Sequence, residues 1–250
     1  MMRDNVAHMF KAIFKKETKM KKVIFAGVIA GLILLLNPTF LAAQDGDVIK
    51  LPAPQTSGGK PLMEALKLRQ SMRGNFGPAV NLTQQQLSNL LWAANGVNRE
   101  KGNYRTAPTA AGWNNIDIYI TTSDGLFIYD AVAHGLKVVK KEDVRATSGL
   151  EGPAGGFMVQ DFAKTAPVSL IYVADMEKTG GMKWEGEDVG ATWSYANAAA
   201  IAQNVYLYCA SEGLACILRA MIDPAQVSKS FNLRPGQKAI LTTTIGQFPK

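Results

Sequence analysis

The sequence predicts an α+β fold, and three observations carry that prediction. Helical and strand-like periodicities are mixed along the chain without regular βαβ alternation. Val168 to Ala174 is a nearly continuous apolar run of strand length, as expected of a central strand covered on both faces. Ser194 to Glu212 is a long alanine-rich helical pattern, with Ile201, Val205, Tyr208 and Cys209 on one stripe and Gly213 beyond its end.

The remaining elements follow in chain order. Residues 44–60 are polar, contain Pro and Gly and show no periodicity, so they read as a flexible lead-in to a single domain over 61–250. Pro61 suits a helix N1 position, and Leu62, Ala65, Leu66 and Arg69 recur behind it at helical spacing. Thr83-Gln84-Gln85-Gln86 is a capping box; Leu87, Leu90, Leu91 and Ala94 form the apolar face of its helix, and Gly96 stops it. Ile116, Ile118 and Ile120 alternate with polar residues as a half-buried strand. Leu126 to Tyr129 and Leu136 to Val139 are two short strands joined through Ala-Val-Ala-His-Gly. Asp223-Pro224 caps a further helix, and Ala239 to Ile245 is the closing strand.

The first 43 residues read as a leader rather than as fold. Lys21-Lys22 precedes an apolar run from Val23 to Leu36, Asn37-Pro38 breaks it, and Leu41-Ala42-Ala43 follows, which is the layout of a secretory signal peptide. Met20 offers an alternative start. The expected location is therefore exported and periplasmic, with the membrane touched only through the leader. An uncleaved anchor is the alternative if Pro38 and Phe40 to Ala43 are counted into the run.

The leader also accounts for the charge. The whole chain is +7, but residues 1–43 hold seven Lys/Arg against two acids, leaving 20 against 18 for the rest. A basic surface for nucleic acid is thus not expected. Cys209 and Cys216 flank the Glu212-Gly213 helix end and read as buried free thiols rather than a disulfide.

Several chemistries lack their residues. Past the leader the only histidine is His134, in a strand connection, with no partner spaced for a Ser-His-Asp triad or a zinc site. Neither GxxxxGK[ST] nor a GxGxxG after a strand occurs. Gly152 to Gly156 reads as a surface loop, and Glu185, Glu187 and Asp188 as solvated surface. A reactive group, if there is one, comes from a cofactor. The Arg69-Gln70-Ser71-Met72-Arg73 cluster at a helix end offers two guanidiniums and a hydroxyl, a set suited to phosphate and polarised carbonyls. Alone, it would read as a basic surface turn.

It is followed by Leu87 to Asn98, by Arg105-Thr106-Ala107-Pro108-Thr109-Ala110-Ala111, by Leu126 to Asp130 with His134 and Leu136, by Asp143-Val144-Arg145, and by Ala202 to Leu207 running to Gly213-Leu214-Ala215. This ordered series resembles the nitroreductase superfamily over roughly residues 62–248, specifically its SagB-type, thiazoline dehydrogenase-like branch. The resemblance implies a central mixed sheet flanked by helices, an intertwined homodimer, and FMN between the subunits as sole redox carrier, with no catalytic side chain and no metal. It implies that Arg69 reaches the FMN phosphate and that Ser71 and Arg73 lie along the ribityl chain and pyrimidine edge. Pro108 and Thr109 stand where the family has Pro-Ser, packing on the flavin from the other subunit. Leu218 to Met221, with Ala220 and Met221 at its end, presents backbone towards flavin N5, and Arg219 is a second phosphate candidate.

The chain departs from the family at Gly112 and Asn114, where an Asn and a Gln are common; Asn114 either replaces the amide or the contact is absent. Ala220 replaces a common glycine. Trp113 and Trp193 either line an acceptor pocket or simply pack. The implied activity is electron transfer to or from a conjugated small molecule, as in nitro- and quinone reductases. A SagB-like azoline dehydrogenase and a flavin-binding module without turnover are the alternatives.

Overall fold

The computed structural model describes residues 48–72, 76–148 and 160–249. The leader with its apolar run, Arg73 and the 152–156 glycines lie outside the described residues. Among those described, no helix is long and apolar enough to cross a membrane.

In chain order the elements are β1 (Val48–Lys50), α1 (Leu62–Leu68), α2 (Gln84–Asn95), β2 (Val97–Arg99), β3 (Tyr104–Arg105), β4 (Ile116–Thr122), β5 (Gly125–Asp130), β6 (Gly135–Lys140), α3 (Phe162–Thr165), β7 (Val168–Asp175), β8 (Lys183–Trp184), β9 (Glu187–Asp188), α4 (Gly190–Glu212), β10 (Ala215–Arg219), α5 (Pro224–Phe231) and β11 (Gln237–Gly246). The main sheet has the order β1-β6-β5-β4-β7-β11-β10. β7 is buried at every residue and lies at the centre, as its unbroken apolar run predicts.

The fold is α+β, a central sheet flanked by helices. Its six described pairings are all antiparallel, so the parallel pairs of a mixed sheet are not among them. The connectivity explains this. β4, β5 and β6 form a meander with short turns, whereas the crossover through α4 joins β7 to β10, which run the same way but are separated by β11.

Local chemistry places the helices. Thr83 Oγ1 accepts from the Gln86 N–H at 3.1 Å while Gln86 Oε1 accepts from the Thr83 N–H at 2.9 Å, closing the predicted capping box on α2. A Cβ at Gly96 would come within 2.5 Å of the Trp92 ring, so the chain turns out of α2 at a residue with no side chain. Asp223 Oδ1 accepts from the N–H groups of Ala225 and Gln226 and caps α5. Gly213, with φ of 71°, gives α4 its left-handed stop. α4 begins four residues before Ser194, because Asp188 accepts from the Gly190 N–H and Ser194 Oγ bonds the Gly190 carbonyl within the first turn. Pro61 caps α1 rather than opening it.

The sheet carries a core on each face. On one, the α4 stripe of Ala198, Ile201, Ala202, Val205, Tyr206 and Cys209 packs with Leu90, Leu91 and Ala94 of α2 against alternate sheet residues such as Leu170, Tyr172 and Ile245. On the other, Val227 and Phe231 of α5 meet Tyr119, Ile171, Val173 and Ala239. The alanines let α4 approach the sheet closely. By contrast α1 buries only Ala65 and leaves Leu62, Met63, Leu66 and Leu68 exposed.

From residue 48 onward the lead-in is not the loose segment its composition predicts. β1 pairs with β6 along Val48 to Lys50, Ser88 Oγ bonds the Pro52 carbonyl, Gln85 bonds the Ala53 carbonyl, and Ser211 Oγ accepts from the Lys60 N–H. These partners sit on distant elements, so spacing within the segment carried no sign of them.

Candidate functional site

Arg69 to Met72 leaves α1 as a strap along the edge of β10. The Arg69 N–H still closes α1 on the Ala65 carbonyl, and three residues later the Met72 N–H donates to the Cys216 carbonyl at 2.9 Å. Between these ties the strap meets Tyr206 of α4. Ser71 Oγ and Tyr206 Oη are 2.8 Å apart, the Leu218 N–H donates to the same Oη at 2.8 Å, and the Arg69 guanidinium lies 5.3 Å from the Tyr206 ring centre. No ion pair to Arg69 is found among the described residues, so a half-buried guanidinium is held in place by an aromatic face and left without a fixed counter-charge. That arrangement suits an anionic group of a ligand.

Tyr206 was not a candidate from the sequence, where it appeared only inside the Ala202 to Leu207 motif. The signal was available: a tyrosine on an otherwise apolar or alanine-rich buried stripe must find a partner for its hydroxyl.

β10 divides the remaining candidates. Successive side chains on a strand point to opposite faces, so Leu218 lies on the α4 side and Arg219 on the other. There Arg219 is only 4 % exposed. Its Nη1 bonds Gln160 Oε1, its Nη2 bonds Thr244 Oγ1 at 2.8 Å, and its guanidinium stands over the Phe162 ring. Burial lowers its pKa to about 10. Gln160, Thr244 and Phe162 are thus among the partners of the Arg219 side chain. Strand alternation turns its side chain to the face of β10 opposite Leu218, where it meets Gln160 and Thr244. Ala220 is exposed at the end of β10, and Met221, half-buried, receives the Gln160 amide at 3.7 Å on its sulfur.

The third cluster is the loop from Pro108 to Asn114. Its backbone is left-handed at Ala111, Gly112 and Asn114, with φ of 49°, 70° and 45°. Such a conformation needs fastening, and α4 supplies it. Asn197 Oδ1 accepts from the Ala110 N–H at 2.8 Å, Asn197 Nδ2 donates to Asn115 Oδ1 at 3.0 Å, and Asn115 Nδ2 donates to Ser194 Oγ at 2.7 Å. All three side chains are buried. Thr109 Oγ1 accepts from the Asn114 N–H at 3.1 Å, and the Asn114 amide turns back to the Gly112 carbonyl. Trp113 and Trp193 stack with ring centres 5.6 Å apart. Asn115 and Asn197 also escaped the sequence reading, since an Asn facing a core leaves no periodic signature.

Asn197 and Tyr206 are nine residues apart on α4, about 13 Å along its axis at 1.5 Å per residue. One chain thus brings Arg69, Ser71 and the β10 backbone together and holds Pro108 and Thr109 separately. The cavity that touches Tyr206, lined by Lys60, Gln70, Cys216 and Phe248 among others, is about 140 Å³. That is well below the ~300 Å³ at which ligand pockets begin.

His134 belongs to a different, closed system. Ser88 Oγ spends its proton on the Pro52 carbonyl at 2.6 Å, so it accepts from His134 Nε2 at 2.7 Å, and His134 Nδ1 accepts from the Tyr129 hydroxyl at 2.9 Å. The ring is neutral in this chain of bonds, and burial holds its pKa below the ordinary value. Ser88, fully buried and with its proton directed outward, is no nucleophile. Among the described residues no group of His, Cys, Asp and Glu could hold a metal. Cys209 and Cys216 are buried free thiols, and the hydrogen bond between them with burial drives the Cys209 thiol upward.

The sequence profile of the Nitroreductase family matches residues 66–247. A protein of Methanocaldococcus jannaschii assigned as a nitroreductase is 29% identical over 178 residues, spanning 69% of this chain and 84% of its own. A crystal structure from Ralstonia eutropha JMP134 with the same assignment has a TM-score of 0.73 at 37% identity, over 83% of this chain and 92% of that one. A further crystal structure, from Desulfovibrio desulfuricans and in complex with FMN, shares the fold at a TM-score of 0.51 and 16% identity, over 77% of this chain and 89% of that one. The chain belongs to the Nitroreductase family, whose members are in general flavin-dependent oxidoreductases.

Proposed function

We propose that the protein is an FMN-dependent oxidoreductase that works as a homodimer on a conjugated small molecule. The observation that carries this reading is the Arg69–Ser71–Tyr206–Leu218 cluster, where a cation without a described counter-charge, a hydroxyl and a strand edge converge. FMN fits that set: a phosphate for Arg69, ribityl hydroxyls for Ser71, and a polar ring edge for the backbone after Leu218. When bound, FMN would supply hydride exchange at its N5.

The chain's own residues bind and orient. Arg69 neutralises the phosphate, Ser71 exchanges hydrogen bonds with the ribityl chain, and Arg73 in the same motif is assigned to the pyrimidine edge, where a cation favours developing negative charge. The site needs no side-chain acid or base, in keeping with a sole histidine past the leader that is locked in a neutral structural chain.

The homodimer is part of the same reading. The cavity at Tyr206 is about 140 Å³, and the loop holding Pro108 and Thr109 is fastened at Asn197, nine residues from Tyr206 on α4, which supports a site completed by a partner copy. The uncovered leucines and methionine of α1 support an apolar contact. The leader read from the sequence supports a location outside the cytoplasm, where nicotinamide cofactors are scarce. The order of motifs favours the SagB-like branch. The test is to purify the chain from Gln44 onward, record its visible spectrum, titrate apo-protein with FMN, and screen donors and acceptors anaerobically. A flavin spectrum with turnover of quinones, nitroaromatics or azolines supports the reading. FMN affinity no tighter than about millimolar, roughly 4 kcal/mol of binding, refutes it.

A further inference from the structure

We infer that Tyr206 is the positioning residue that fixes the Arg69 to Met72 strap against β10 and, resting on the FMN reading above, thereby sets cofactor affinity.

The argument begins from α4. Position 206 lies on the buried stripe with Ala198, Ile201, Ala202, Val205 and Cys209, where an aliphatic side chain would fill the core without bringing a hydroxyl to satisfy. The hydroxyl is used twice: Leu218 donates to Oη through its backbone N–H, and Ser71 Oγ shares a proton with it, both at 2.8 Å. The ring is used once more, under the Arg69 guanidinium at 5.3 Å. One side chain on a rigid helix therefore touches three groups at once: the strap's cation, the strap's hydroxyl and the β10 backbone. Among the described residues, one backbone bond ties the strap to the sheet, from the Met72 N–H to the Cys216 carbonyl. Without the Tyr206 hydroxyl, Ser71 loses its described side-chain partner and the Leu218 N–H loses its acceptor. The strap then samples orientations in which Arg69 and Ser71 no longer point together, and ligand binding must supply the ordering.

Two measurements on the protein from Gln44 onward test this. The first is amide hydrogen exchange of apo-protein, wild type against Tyr206→Phe, which keeps the ring and removes the hydroxyl. Exchange at Met72 and Leu218 should rise about tenfold while the amides of β7 stay unchanged, because only the strap and its edge open locally. The second is FMN titration. Tyr206→Phe should weaken FMN about tenfold, Tyr206→Leu more, and Ser71→Ala combined with Tyr206→Phe no more than the worse single variant, since the two hydroxyls act as one contact. Val227→Ala, a core change on the opposite face of the sheet, serves as a control that lowers stability away from the strap and should leave FMN affinity within twofold. Unchanged exchange at Met72 in Tyr206→Phe overturns the positioning role, as does a Val227→Ala variant that loses FMN as strongly as Tyr206→Phe. If exchange responds but the wild type binds no FMN, the strap role stands, and the affinity clause falls together with the flavin reading.

Discussion

The resemblance put Arg69 on the FMN phosphate and gave Arg219 as a second candidate, and their surroundings differ sharply enough to predict opposite phenotypes. Arg69 is half-buried, with a cation–π contact to Tyr206 worth about 0.5–1 kcal/mol at a partly exposed site. Arg69→Ala should therefore cost folding stability no more than about that amount. It should remove one charge-assisted contact to the FMN phosphate, worth about 1.5–3 kcal/mol, or a roughly ten- to hundredfold loss of affinity. Arg69→Lys should recover only part of this, because an ammonium cannot form the planar fork. Arg219 reverses the pattern. Its guanidinium is 4 % exposed and bonds Gln160 and Thr244, so Arg219→Met should leave those acceptors unmet and lower stability by about 1–3 kcal/mol. FMN affinity, measured where the variant is fully folded, should stay within about threefold, because strand alternation turns this guanidinium to the face of β10 opposite Leu218. The assay pairs urea unfolding followed by circular dichroism with fluorescence titration of apo-protein by FMN. If Arg219→Met abolishes FMN binding at unchanged stability, the alternation argument for β10 is refuted and Arg219 returns to the phosphate.

Other consequences are equally checkable. Asn197→Ala should destabilise the fold by about 1–3 kcal/mol, because it leaves the part-buried Ala110 N–H and the buried Asn115 side-chain Oδ1 without these partners; thermal unfolding measures it, and a neutral result would remove Asn197 as the loop's anchor. Burial holds the His134 imidazole below its ordinary 6.5, so the unfolded chain takes up the proton first and stability should fall as pH drops through 6.5, until the folded ring itself titrates. Urea midpoints measured from pH 7.5 down to 5 should show this decline, and His134→Gln should flatten it. Cys209 and Cys216 should resist a thiol reagent in the native protein and react once it is unfolded, given their burial and the raised Cys209 thiol; rapid native labelling would contradict that placement.

What the sequence revealed and what it hid divide along a physical line. The capping box at Thr83, the Asp223 cap, the all-apolar β7 and the hairpin around His134 are local: each is written in residues that neighbour one another in sequence. The docking of Val48 to Lys60 was not legible, because its partners are His134, Ser88 and Ser211, set by tertiary approach rather than by spacing. The same limit divided the site. The Arg69–Ser71 motif and the Pro108–Thr109 motif could be found as short patterns, whereas the direction of Arg219 depended on the parity of β10, and a one-residue difference in strand register moves a side chain to the other face. Tyr206, Asn197 and Asn115 were hidden for a related reason: on a helix stripe or at a strand's edge, a buried polar residue differs from a surface one only by what it faces.

That last class explains why α4 is built as it is. A buried helix stripe gains most from apolar residues, and this one interrupts them at Ser194, Asn197 and Tyr206. Each interruption carries a desolvation cost that only a fully satisfied hydrogen bond offsets. All three are satisfied, in part by residues of two segments outside the core: Ser194 and Asn197 reach the 110–115 loop, and Tyr206 reaches the strap and β10. Loops that carry a binding site tend to be mobile, and the orientation of their side chains is correspondingly loose. By tying both loops to one rigid, core-packed helix, the chain fixes the Arg69–Ser71 cluster and the Pro108–Thr109 loop at a constant separation along its axis. In a homodimer related by a twofold axis, that separation would set the spacing between the two shared sites. The small alanine surface that brings α4 close to the sheet would then also hold the two half-sites in register, which ties the packing of the core directly to the geometry of the cofactor site.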